Sequence, residues 1–101
     1  MPTMRLLLVI STVKKLRDVK ELSKAAAKAG HNVTVFFNEE SVQLLKNPSP
    51  VENLYADLLA CQASALEYQI TKENMAVNAR MSSLAELVDQ LEGDDKVVFL
   101  G

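Results

Sequence analysis

The sequence holds a single cysteine, a single histidine, no tryptophan, and only three glycines and three prolines in 101 residues. One cysteine excludes an internal disulfide and points to a reducing compartment. The glycines stand only at Gly30, Gly93 and Gly101. That leaves neither a phosphate-binding P-loop nor a Rossmann-type glycine turn, so no nucleotide cofactor is expected. A zinc site built from Cys61 and His31 alone would have to lean on carboxylates, and no metal is expected either. Excess positive charge is missing too. Eleven basic against thirteen acidic residues give −2, without the basic footprint that phosphate neutralisation needs, so nucleic acid is not an expected partner. The one early basic cluster, Lys14, Lys15 and Arg17, reads as a solvated loop after the first strand. The apolar run Leu6–Ile10 is five residues long, too short for a signal-peptide core or a bilayer span. No membrane association is expected, and the expected location is the cytoplasm.

What is present describes a globular chain. Hydrophobic residues make up 49% and charged residues 24%, ordinary values for a folded protein. The length fits one domain over 1–101. A core this small leaves a large share of the surface exposed, so burying one face in an oligomer would help.

Arg5 to Ile10 is a continuous apolar run of the kind that forms a central parallel strand covered on both faces, and Ser11-Thr12 ends it. Asp18, three residues before Glu21, reads as a helix cap with a capping-box-like partner. Leu22, Ala25, Ala26 and Ala29 then give one narrow apolar stripe, and Gly30 supplies the left-handed stop. The spacing predicts a helix over 19–29 whose alanines lie close to the sheet. Val33 to Phe37 is β-branched and aromatic, a second buried strand. Asn38 caps a short helix with Glu39 and Glu40 at its positive end and Val42 and Leu45 inward. Asn47-Pro48-Ser49-Pro50 breaks it.

The stretch from Val51 to Leu66 is open to two readings. Leu54, Leu58, Cys61 and Ala65 share a helical face, and the absence of β-branched residues from 52 to 69 favours one long helix. Alternatively a strand runs over about 56–60, with a new helix beginning near Cys61. Further on, Met75 to Ala79 reads as a short strand. Ser83 and Glu86 form a capping box before the apolar stripe Leu84, Leu87, Val88 and Leu91. Gly93-Asp94-Asp95 is a turn, and Lys96 to Leu100 a last strand. The element order implies an α/β fold with a mainly parallel sheet and right-handed crossovers.

His31, directly after the helix-stopping glycine, reads as a turn residue rather than a base. Cys61 is the remaining chemical candidate. In a long helix it is a buried, inert thiol. In the strand-then-helix reading it stands at the carboxyl end of a parallel strand, where open α/β sheets place their chemistry. The amides of Gln62, Ala63 and Ser64 would then point toward its sulfur and favour a thiolate.

The stretch from Ala56 to Leu66, a hydrophobic strand, then Cys61, then small residues and a short helix, resembles the DsrE/TusD-like sulfur-relay family. Met4–Val9 resembles that family's opening strand, and Ala29–Phe37 its Gly-His segment before an aromatic strand. Ile70–Asn74, Ser82–Leu87 and Asp95–Phe99 resemble its later turn, last helix and last strand. The ordered set covers nearly the whole chain. In place of the family's glycine before Ile70 stands Gln69.

The resemblance implies a three-layer α/β sandwich, an open mainly parallel sheet of about five strands with helices on both faces. It also implies a sulfur carrier, with Cys61 holding sulfane sulfur as a persulfide and passing it between donor and acceptor proteins. Assembly as a homotrimer or hexamer, or with paralogous subunits, follows from the same resemblance. Two other functions remain open: an oligomeric scaffold or regulatory subunit with a structural Cys61, and a small-ligand module. The latter would use a strand-end pocket of Ser11, Thr12, Asn38, Gln62, Ala63 and Ser64.

Overall fold

The computed structural model describes residues 3–101. Five strands, β1 (Arg5–Ile10), β2 (Asn32–Phe37), β3 (Asp57–Cys61), β4 (Ala79–Ser82) and β5 (Lys96–Leu100), form one sheet in the order β4-β3-β2-β1-β5. Every pairing is parallel, with Leu8 opposite both Val35 and Val98, and Cys61 opposite Ser82. Three α-helices accompany the sheet: α1 (Leu16–Lys28), α2 (Gln62–Glu67) and α3 (Leu84–Gly93), with 3-10 segments at Val13–Lys15 and Glu39–Leu45.

Alternation along the strands divides the core in two. Leu8, Ile10, Val35, Phe37, Leu58 and Ala60 face one side, where Val19 of α1, Leu45 of the second 3-10 segment and Ala65 of α2 meet them. Leu7, Val9, Phe36, Leu59 and Cys61 face the other side, against Leu87 of α3 and Val97. This is the expected three-layer α/β sandwich, and its sheet is wholly parallel. One face carries two helices and a long 3-10 segment; the other carries α3 alone.

The open reading of 51–66 resolves in favour of the strand. β3 pairs with β2 on one side and β4 on the other, and both of its faces are buried. Pairing on two edges outweighs the helix propensity of Leu and Ala, because strand preference follows packing context more than intrinsic tendency.

Several local expectations are corrected. Helix α1 starts at Leu16 with Lys15 at the cap position, so Asp18 lies in the first turn and caps nothing. Lys14, Lys15 and Arg17 therefore belong to helical turns rather than to a loop, though all three remain exposed. The sheet-facing side of α1 is Val19 and Ser23, with Leu16 and Ala26 beside them; Leu22, Ala25 and Ala29 are exposed. The fourth strand lies at 79–82, not 75–79. Met75 makes an antiparallel bridge to Lys46, and the Ala76 amide donates to the Leu45 carbonyl at 2.8 Å, so this stretch is a loop that buries Met75 and Ala76 and leaves Val77 exposed.

Two residues at positive φ close the turns after α1 and α2, one of them a glycine and one not. Gly30 ends α1 with φ of 87°, the left-handed region that glycine enters at no steric cost. Gln69 does the same after α2 with φ of 59°. This is the position where the resemblance led us to expect glycine.

Candidate functional site

Each strand of a parallel sheet delivers its last residue to the same edge. Here that edge collects Ser11 and Thr12 after β1, Asn38 after β2, Cys61 ending β3, Ser82 ending β4 and Gly101 after β5. Cys61 is at once the final residue of β3 and the residue before the first turn of α2, with φ −58° and ψ 120°. Its side chain packs with Leu7, Val9, Phe36 and Leu59, and it is 4% exposed.

Across the ladder from Cys61 is Ser82, also buried. Its hydroxyl donates to Glu86 Oε1 at 2.7 Å, and Arg80 Nη1 approaches Glu86 Oε2 at 2.8 Å. The Ser82 hydrogen bond, then that from Arg80, holds the Glu86 carboxyl below its ordinary range. Ser83 caps α3 by accepting the Glu86 amide at 3.2 Å. The reciprocal half of the expected capping box is absent among the described residues, because the Glu86 carboxylate is engaged by Ser82 and Arg80 instead. A hydrogen-bonded trio of one ion pair and one hydroxyl thus sits one strand from the cysteine. Sequence reasoning passed over it: Glu86 matched a capping motif, and Arg80 stood outside any expected strand.

The six residues expected to line a strand-end pocket separate into three groups. Asn38 and Ser64 form a structural tie. Ser64 Oγ donates to Asn38 Oδ1 at 3.1 Å and accepts the Glu39 amide at 2.9 Å, clamping α2 to the exit of β2. Glu39 itself has φ of 50°. Ser11 and Thr12 line an open cleft of about 470 Å³ with Glu39, Glu40, Glu67 and Tyr68. Gln62 and Ala63 border a different cleft of about 620 Å³, together with Ala65, Leu66, Ile70 and Met81. Cys61 lines neither cleft.

His31 lies at the opposite, amino edge of the sheet. Its Nδ1 accepts the Met4 amide at 3.1 Å and its own amide donates to the Ala26 carbonyl, which fastens the turn before β2 to the start of β1. It borders a polar cleft of about 530 Å³ with Arg5, Tyr55, Asp57 and Asp94. Partial burial raises the Asp94 carboxyl above its ordinary value, with Arg5 opposing and Asp95 adding to the rise. Among the described residues no group of three or more His, Cys, Asp or Glu side chains is placed to hold a metal ion. None of the described helices is long and apolar enough to cross a membrane.

Comparison with known proteins follows this geometry closely. The model of the DsrE/DsrF-like family matches residues 4–100. Among solved structures, the ychN protein from E. coli aligns with a TM-score of 0.81 at 13% identity, covering 98% of this chain and 100% of that one. The protein of unknown function MTH1491 from Methanobacterium thermoautotrophicum aligns with a TM-score of 0.75 at 13% identity, covering 96% and 99%. At such identities the likeness is one of fold. A search of the curated proteins finds no match.

Proposed function

Because this chain belongs to the DsrE/DsrF-like family, a family broadly tied to sulfur relay, we propose that it carries sulfane sulfur as a persulfide on Cys61 and relays it to a partner protein. The observation that supports this reading is the position of Cys61, at the carboxyl end of a central parallel strand and the start of a helix. In the first step the Cys61 thiolate attacks the outer sulfur of a donor persulfide. The new S–S bond forms on Cys61 as the donor's S–S bond breaks, and the donor thiolate leaves with the electron pair. Transfer onward repeats the exchange with an acceptor thiolate, so no second cysteine in this chain is needed. The proposed setting is the cytoplasm, with the chain acting as one domain in a homotrimer, a hexamer or a complex with paralogous subunits.

A second reading, an oligomeric scaffold or regulatory subunit in which Cys61 is structural, draws on the burial of the thiol among Leu7, Val9, Phe36 and Leu59. Alkylation separates the two. A carrier's Cys61 reacts with iodoacetamide in the native fold, whereas a structural thiol reacts only after denaturation.

A further inference from the structure

We propose that the polar cleft at the amino edge of the sheet binds a free amino acid, with the ligand's carboxylate on Arg5 and its ammonium group on Asp57 and Asp94. This cleft lies at the end of the sheet opposite Cys61. The inference goes beyond the sulfur-carrier reading and does not depend on it.

Strand alternation builds the floor of the cleft. On the α3 side of the sheet, the strands present Leu7, Val9, Phe36, Leu59 and Cys61 toward the carboxyl edge. Leu87 is the residue of α3 packed against them; Leu84, Val88 and Leu91, expected on the same apolar stripe, are exposed. Two residues earlier on each strand the same face turns polar. Arg5 precedes Leu7, Thr34 precedes Phe36, and Asp57 precedes Leu59. The register sets Thr34 between Leu7 and Asp57. Thr34 stands on an inner strand paired on both edges and is half-buried. None of the side-chain hydrogen bonds among the described residues uses its hydroxyl, although valine would fill the same strand position without a polar group to satisfy.

The charges in the cleft do not pair with one another. Among the described residues, ion pairs join Lys15 to Asp18, Arg17 to Glu21 and Arg80 to Glu86; Arg5, Asp57 and Asp94 enter none. Arg5 nevertheless opposes the upward shift of the Asp94 carboxyl, so the two groups are within electrostatic reach without touching. Opposite charges that share a cleft of about 530 Å³ without closing on each other leave room for a ligand carrying both signs. The volume lies in the range of small-molecule sites, about 300–1,000 Å³.

Backbone ties hold these groups in place. The Arg5 amide donates to Asp95 Oδ2 at 2.8 Å, and the Asp95 amide donates to the Arg5 carbonyl at 2.9 Å. Arg5 Nη2 donates to the Gly93 carbonyl, which orients the guanidinium and leaves the rest of its donor fork for a carboxylate. The Asp94 amide donates to the Gln90 carbonyl at 2.9 Å. His31 accepts the Met4 amide on Nδ1, so its ring proton sits on Nε2 as a further donor. Tyr55, 87% exposed, walls the cleft with an aromatic ring of the kind that attracts an ammonium group. Groups fixed in advance bind at a lower entropic cost. An amino acid uses both signs of charge, whereas a simple anion leaves the two carboxylates unpaired and a simple cation leaves Arg5 unpaired.

Amide-resolved NMR titration of the full chain tests this. The probes are two zwitterions of different charge separation, L-alanine and γ-aminobutyrate, with acetate and ethylamine as their separate halves. At least one zwitterion is expected to give saturable shifts centred on the amides of Asn32, Thr34, Asp57 and Asp94, about tenfold or more tighter than either half. Thr34→Val keeps the β-branched strand residue and should weaken binding about tenfold; Asp57→Asn should weaken it about tenfold or more. The spectra of the variants also report whether they fold. Absence of saturation with both zwitterions overturns the site. Acetate or ethylamine binding as tightly as the zwitterion, or binding left unchanged by both substitutions, overturns the assignment of its ligand.

Discussion

Replacing Ser23 with alanine should make this protein more stable, although serine is smaller than most buried residues and sits in a well-formed helix. Ser23 is 1% exposed on the sheet-facing side of α1, and its Oγ has no hydrogen-bond partner among the described residues. A buried hydroxyl left unpaired costs about 1–3 kcal/mol, and serine is also a poorer helix former than alanine by roughly 0.5 kcal/mol. Against these gains stands the loss of the oxygen's packing contacts, about 0.5–1 kcal/mol for a group the size of one methylene. The net expectation is a stabilisation of about 1–2 kcal/mol. For a domain this size that corresponds to a rise in Tm of roughly 5–15 °C. Urea unfolding read by circular dichroism, with the m-value unchanged, measures it directly. Several protein concentrations are needed, since assembly alone shifts apparent stability. A loss of 1 kcal/mol or more would refute the reasoning, because it would mean that the hydroxyl is satisfied in solution. Ser23→Val, which fills the site without a polar atom but adds branching, should fall below alanine.

Other outcomes follow from the same structure. Gln69→Gly should stabilise by about 0.5–1 kcal/mol and Gly30→Ala should destabilise by about 1–2 kcal/mol, since both positions hold positive φ. No atom lies within 4 Å of a Cβ built at Gly30, so its cost is purely conformational; thermal unfolding of both variants checks the pair. Glu86→Gln should lower stability by about 0.5 kcal/mol at neutral pH, a small figure because solvent screens the Arg80 pair. The folded-state Glu86 carboxyl lies below its ordinary value, so its contribution is present above the unfolded carboxyl's range and fades as pH falls through the folded value. The difference between wild type and variant should therefore be flat from pH 6 to 8 and vanish in acid, as a pH series of urea melts would show.

How much of this was legible in the sequence depended on which force decided each element. β1 and β2 are apolar runs paired on both sides and β5 is an apolar run at the sheet edge, and the composition of each alone marks it as a strand. The helix around Val19–Lys28 was legible in its period and its Gly30 stop, but its sheet-facing side was not. The alanine stripe suggested one face, while Val19 and Ser23 occupy it, because the 3-10 turn at Val13–Lys15 sets where the helix enters. β3 was undecidable from propensity: Leu58, Leu59, Ala60 and Cys61 favour helix locally and become a strand only through pairing with β2 and β4. β4 was misplaced for a related reason. Met75 and Ala76 are the apolar residues, but they fill the core from a loop, and the polar Arg80 and Ser82 take the ladder positions. At the candidate site, the place of Cys61 in the fold was legible through the family resemblance. The Arg80–Glu86–Ser82 trio was not, since it exists only once β4 lies beside β3. Asn38 and Ser64 share that history: both were read as pocket residues, and the fold uses them to tie α2 to β2.

The central claim, that Cys61 carries sulfur, is tested most directly by intact-mass spectrometry after exposure of the native protein to inorganic polysulfide. The account predicts an adduct of one sulfur atom per chain, removed by dithiothreitol, transferable to a small acceptor thiol, and absent from Cys61→Ala. A chain that stays unmodified under conditions that load a known persulfide carrier, with Cys61 alkylated only after denaturation, would contradict it.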